Sequence, residues 1–236
     1  MPAANTRRAF VIALVGVLAA VIGVAVYALK SKDTITGILK TPPRPAAGTP
    51  RGVMWDVWHA AMNDDRDGVR AAMLATNDVE RGAADALAEL LVAEARFARQ
   101  LQHTWPMSPT SRDGAGTWFG EGADAGLLTA RENIDAAAIN ATVNMNGTPV
   151  KLTRSGGAWK IVTANLVRAH LKRGNGNANA DVDLVVASQR LAAMTKAYRD
   201  LTREVAALRI ASPSAAIEEL RESLAAAATT AATAQP

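Results

Sequence analysis

The chain has 236 residues, no cysteine and a net charge of +4, with 49% of its residues apolar. The charge is uneven: seven of the 26 Lys and Arg, but only one of the 22 Asp and Glu, stand before residue 52. The remainder of the chain carries 19 cations against 21 anions, which excludes a nucleic-acid interface built on overall basicity, and the lack of cysteine excludes lipidation behind the N-terminal apolar run.

Residues 1–8 form a short tail with Arg7 and Arg8, read as cytoplasmic. Residues 9–29 contain no charge, amide or hydroxyl beyond the ring of Tyr27, and Lys30 and Lys32 close the run. At about 1.5 Å per residue a helix of this length spans a ~30 Å hydrocarbon core, so a single transmembrane helix is expected. A cleavable signal peptide is the competing reading, with a cut after Ala28, but the run exceeds the usual apolar length of about 7 to 15 residues. The basic tail places the rest of the chain outside the cytoplasm; Lys30, Lys32, Lys40 and Arg44 argue the reverse. Residues 30–52 read as a basic, proline-rich linker of extended polyproline II character.

From Val53 the period becomes helical. Met54, Val57 and Ala61 form one stripe and Trp55, Trp58 and Met62 a second. Asn63-Asp64-Asp65-Arg66-Asp67-Gly68 interrupts, and an Asp there caps a short helix carrying Val69, Ala72 and Met73. Thr76-Asn77-Asp78 caps a long helix whose stripe is Ala83, Leu87, Leu90, Leu91, Glu94, Phe97 and Leu101, ended by Pro106 and Pro109. After a Gly- and Asp-rich loop the period changes to two. Ala137, Ile139, Ala141, Val143 and Met145 alternate with polar or small residues up to Asn146-Gly147, the strongest short hairpin signal. Val150 and Leu152 form the second strand, Ser155-Gly156-Gly157 turns the chain, and Trp159 and Ile161 anchor the third. A three-stranded antiparallel meander is expected. Arg168, Lys172 and Arg173 around His170 read as a small exposed basic face.

Residues 174–180 form a flexible link. Beyond it Leu184, Leu191, Tyr198 and Val205 fall seven apart, as do Ala187, Met194, Leu201 and Leu208, an a/d heptad pattern. Ser212-Pro213 starts another helix with the stripe Ile217, Leu220 and Leu224. The heptad permits a parallel dimer through Leu184, Leu191, Tyr198 and Val205. The short link and the absence of repeated complementary e/g charges favour an intramolecular hairpin, with Leu201, Val205 and Leu208 against Ile217 and Leu220. The C-terminal helices are placed at 181–228 and a disordered tail at 229–236.

The hairpin Asn146-Gly147-Thr148-Pro149-Val150-Lys151-Leu152-Thr153-Arg154, leading into Gly157-Ala158-Trp159-Lys160-Ile161-Val162, resembles the end of the sheet in nuclear transport factor 2-like (cystatin-like α+β) domains. The opening helix followed by the Asn-Asp-Asp-Arg-Asp turn is similar too, and the resemblance covers roughly residues 53–173. It implies an α+β fold with helices packed on a curved antiparallel sheet, here preceded by the transmembrane helix and followed by a helical hairpin. It implies little about activity, because such domains include isomerases, dehydratases, ligand binders and assembly modules.

Catalytic members of that family would need an acid–base pair with a donor in a cone-shaped pocket. Tyr27 and Tyr198 are the only tyrosines, and both stand outside residues 53–173. Asp56 and His59, at i and i+3, are the best acid–base candidates the domain offers, and chance produces such spacings constantly. Trp55, Trp58, His59, Trp105 and Trp118 are candidate pocket-lining residues, with core packing as their ordinary role. His59, His103 and His170 are too scattered for a metal motif, and neither Gly114-Ala115-Gly116 nor Gly174-Asn175-Gly176 is a phosphate loop. No catalytic residue, metal or cofactor is therefore assigned. The expected function is a non-enzymatic, membrane-tethered binding or scaffolding module, the alternative being an NTF2-like domain that binds or converts a small apolar molecule.

Overall fold

The computed structural model describes residues 44–112, 118–120, 122–145, 147–175 and 183–233 and begins with a helix where the linker was expected to continue. Thr49 caps α1 (Pro50–Met62) by accepting from the Gly52 N–H at 3.0 Å, and Pro50 takes the first helical position, where its missing N–H costs nothing. Pro45 and Pro50 are buried, so residues 45–52 belong to the domain rather than to a spacer. The apolar run 9–29 lies outside the described residues. Among those described, no helix is long and apolar enough to cross a membrane.

Two caps then reverse the chain. Asp65 accepts from the Gly68 N–H at 2.8 Å and starts α2 (Arg66–Ala71), shorter than the sequence suggested. Met73 leaves the helix and joins Leu74 in β1 (Met73–Leu74). Asn77 caps α3 (Asp78–Thr104), accepting from the Glu80 N–H at 2.8 Å. Every member of the expected α3 stripe is buried, Glu94 included. Two short helices, α4 (Pro109–Arg112) and α5 (Ala123–Thr129), lead to the sheet.

The sheet has five strands, not three. β3 (Asn140–Met145), β4 (Thr148–Ser155) and β5 (Ala158–Val162) form the expected meander, and β2 (Glu132–Ile134) adds an antiparallel strand to β3. β1 pairs parallel with β5, giving the order β1-β5-β4-β3-β2, so the sheet is mixed where a purely antiparallel one was expected. Ala141, Val143, Met145, Val150, Leu152, Trp159 and Ile161 fill its buried face. Strand β3 starts three residues later than the alternation suggested, because Asp135 closes a turn by accepting from the Ile139 and Asn140 N–H groups, which leaves Ile139 exposed. The β4–β5 turn pairs Ser155 with Ala158 and sets Gly156 and Gly157 at φ +58° and +81°, left-handed angles that account for both glycines.

Helix α6 (Thr163–Asn175) comes directly after β5. It turns Leu166, Val167, His170 and Leu171 inward and Arg168 outward, so His170 is not part of an exposed basic face. Helix α7 (Leu184–Ala206) lies along α3, where Phe97 and Tyr198 meet edge to face at 5.7 Å. Helix α8 (Pro213–Thr233), with Ser212 accepting from the Ala215 N–H, folds back on α7 and continues into residues expected to form a tail. Leu201, Val205, Ala216 and Leu220 are buried in the hairpin and Ile217 is half-buried. Leu208 departs from the expectation. The N–H groups of Leu208 and Arg209 bond the carbonyls of Val205 and Glu204, a helix-ending motif that puts Leu208 at φ +55° and leaves it 75% exposed.

Candidate functional site

Three of the four candidate tryptophans come together. Trp55, Trp58 and His59 sit at i, i+3 and i+4 on α1, so their rings share one face of the helix. The His59 ring lies 4.5 Å from that of Trp55 and 5.0 Å from that of Trp58. Trp58 stacks on Phe119 at 6.4 Å and donates its indole N–H to the Trp118 carbonyl at 3.1 Å, which fastens residues 118–120 to α1. Trp105 acts separately. It is the C-cap of α3, and its carbonyl accepts the Ser111 hydroxyl at 2.5 Å.

The two acid–base candidates have different described neighbours. Asp56 is exposed and accepts from the Arg44 guanidinium at 2.5 Å, whereas His59 is held among indole rings. Trp118 and Phe119 are themselves core residues, 1% and 2% exposed. Beside them lies an open cleft of about 510 Å³ lined by Trp58, Met62, Gln102, Pro106 and Phe119. A second hollow of about 400 Å³ runs over the sheet past Asn133, Asp135, Asn140, Thr142 and Lys151. The Asp135 carboxyl is held below the usual carboxylate range, first by the Ile139 N–H and then by the Asn140 side-chain amide, so it serves the β2–β3 turn.

The most unusual chemistry lies deeper. Trp118 meets the His170 ring edge to face at 4.7 Å, and His170 Nε2 lies 3.9 Å from Glu94 Oε2. Both ionisable side chains are buried, Glu94 from α3 and His170 from α6. Neither belongs to the candidate site residues that sequence reasoning yields. The signal was an acid and an imidazole standing on otherwise apolar stripes, Leu90-Leu91-Glu94-Phe97 and Leu166-Val167-His170-Leu171. A buried ionisable group on such a stripe needs a polar neighbour, and these two side chains approach each other.

Among the described residues no three His, Asp or Glu side chains are placed to hold a metal ion. His59 stacks on indoles, His103 is exposed in the last turn of α3, and His170 faces Glu94. Comparison with protein-family models, curated proteins and solved structures finds no match to this chain.

Proposed function

We propose that the chain is a membrane-tethered, non-enzymatic binding or scaffolding module, built on an NTF2-like α+β domain and held outside the cytoplasm by residues 9–29. The observation that carries this reading is the deep burial of Trp118 and Phe119, which act as core rather than as the lining of an open pocket. The pairing of Asp56 with Arg44 and the packing of His59 on indole rings support it, because each candidate is already engaged by a neighbour other than the other. Function then resides on surfaces. The heptad residues Leu191, Tyr198 and Val205 are buried within the chain itself, which argues against their use in self-association.

The alternative, a domain that binds a small apolar molecule, draws support from the cleft beside Trp58 and Phe119. Native mass spectrometry of the full-length chain released from detergent micelles separates the two. The expected species has the mass of the chain alone. A stoichiometric small molecule, retained by the parent and lost from Trp58→Ala, would overturn the scaffolding reading in favour of a ligand-binding one. The N-terminal peptide measured in the same experiment tests the tether, since a mature chain beginning near residue 29 would remove it.

A further inference from the structure

We propose that the turn between β2 and β3, residues 134–139, is a foot that rests in the headgroup layer of the membrane holding the chain. The proposal builds on the tethered reading of residues 9–29. Every residue from Asn133 to Asn140 is exposed, yet Ile134, Ala136, Ala137, Ala138 and Ile139 are apolar. The two isoleucines are 44% and 52% exposed. Exposed turns are ordinarily built from Gly, Pro, Asn, Asp and Ser, and a contiguous apolar group on a surface marks a contact. Ala138 sharpens the point. It stands at φ +51°, where glycine or asparagine is the ordinary choice, so the turn keeps an outward methyl group at the cost of backbone strain.

The polar groups of the turn already hold partners. Asp135, its one charged residue, accepts from the Ile139 N–H at 2.8 Å, the Asn140 N–H at 3.1 Å and the Asn140 side-chain amide at 2.9 Å. The Ala138 N–H bonds the Asp135 carbonyl at 2.9 Å, and the Asp135 N–H bonds the Asn140 carbonyl at 3.0 Å. The Ile139 carbonyl accepts from the Arg154 N–H at 2.8 Å and the Thr153 hydroxyl at 3.2 Å. Groups satisfied in this way leave bulk water at little cost, which a segment entering a lipid interface requires. Exposed cations stand on both sides, Arg131 ahead of β2 and Arg154 near the end of β4, and suit anionic headgroups.

The chain also delivers the turn to the bilayer. Arg51, in the first turn of α1, donates to the Leu128 carbonyl at 2.8 Å and lies 3.0 Å from the Glu132 carboxylate. The described chain therefore enters beside the base of β2, and Asp135 follows Glu132 by three residues, about 10 Å along the strand. Residues 30–43 join the apolar run to this entry and reach at most about 50 Å when fully extended. A second copy of the chain is a poorer occupant. Eight exposed residues fall well short of the roughly 20–30 a side that a stable protein interface uses, whereas a lipid surface needs no shaped counterpart.

The chain has no cysteine, so one introduced cysteine carries a label at a single position. The test places an environment-sensitive fluorophore through Ala137→Cys, Ala215→Cys or Ala19→Cys in the full-length chain. Each protein is reconstituted into vesicles of phosphatidylcholine and phosphatidylglycerol. Lipid carrying a nitroxide high on its acyl chain should quench position 137 several-fold more than position 215, an exposed site on α8. Lipid carrying it near the chain end should quench position 19. Ile134→Ser combined with Ile139→Ser should abolish the quenching at position 137 and leave the circular dichroism unchanged, because both side chains are already exposed. Quenching at position 19 with none at position 137 overturns this proposal alone. No quenching at position 19 removes the tether, and the proposal with it. A label at position 137 shielded from both lipid nitroxide and aqueous iodide overturns the proposal in favour of a protein partner.

Discussion

The sheet-bearing half and the C-terminal hairpin bury their apolar faces by different means. Around α1 and the sheet, large rings meet: Trp55, Trp118 and Phe119 are buried, Trp58 is half-buried, and its indole is fixed by a hydrogen bond to the backbone. In the C-terminal helices, small and medium side chains recur at helical spacing, and Ala187, Leu191, Val205, Ala216 and Leu220 are buried. The first arrangement depends on shape and on a few polar anchors, the second on periodicity. Helix α3 belongs to both, which is why 13 of its 27 residues are buried. A helix asked to face two neighbours cannot keep a narrow apolar stripe, and α3 shows this in its sequence through the added Ala84, Ala88, Val92, Ala95 and Ala98.

Phe97→Ala should therefore produce the largest effect, because its ring is fully buried and meets Tyr198 across the junction of the two halves. A loss of about 3–5 kcal/mol is expected for truncating a buried phenylalanine. Urea unfolding followed by tryptophan fluorescence and by helical circular dichroism should show one transition moved to lower urea. Two separated transitions would mean that the halves fold independently and that α3 does not couple them.

Leu220→Asp attacks the hairpin alone. A charge forced into the α7–α8 seam should cost a few kcal/mol, and hydrogen exchange locates where that cost falls. Amides of α8 should exchange faster while those of β3, β4 and β5 keep their protection. Uniform acceleration over the whole chain would contradict the division between ring-filled and seam-filled regions.

The cap of α3 comes next. Asn77→Ala should cost about 1 kcal/mol, the usual effect of losing an N-cap. The same turn carries a pH dependence of known sign. Thr76 donates its hydroxyl and its N–H to the Glu80 carboxylate, and these bonds, hydroxyl first, hold Glu80 below the usual carboxylate range. Its contribution is present above the unfolded glutamate value of about 4.3 and is lost as pH falls through the lower folded value. Glu80→Gln should flatten that acid-side loss in an unfolding series from pH 5 to pH 2, and an unchanged series would remove Glu80 from the account.

The legibility of the sequence divides in the same way. The meander is legible because Ala141, Val143 and Met145 alternate cleanly and because Gly156-Gly157 demands a left-handed turn. Strands β1 and β2 are not, since two and three residues cannot display a period of two. Pro50 reads as linker because a proline at the first helical position looks, in isolation, like a proline in a spacer. The aromatic grouping is half legible: helical spacing places Trp55, Trp58 and His59 on one face, but only tertiary structure brings Trp118 and Phe119 to it. Glu94 and His170 stand 76 positions apart, and no local pattern connects them, although each is out of character on its own stripe.

The smallest expected effect has the opposite sign and tests whether the heptad or the helix end governs Leu208. Counting by sevens puts Leu208 in the seam after Leu201, where glycine would leave a hole and weaken the hairpin. The fold instead ends α7 at Ala206 and gives Leu208 the left-handed position that normally belongs to glycine, with its side chain in solvent. A non-glycine residue there costs about 1–2 kcal/mol, while glycine returns about 0.5–1 kcal/mol through the greater freedom of the unfolded chain. Leu208→Gly should thus stabilise the protein by about 0.5–1 kcal/mol. The neighbouring Val205→Gly, which empties a fully buried seam position, should destabilise it strongly. Thermal unfolding of the two variants beside the parent decides the matter, because a melting temperature lowered by Leu208→Gly would restore Leu208 to the seam.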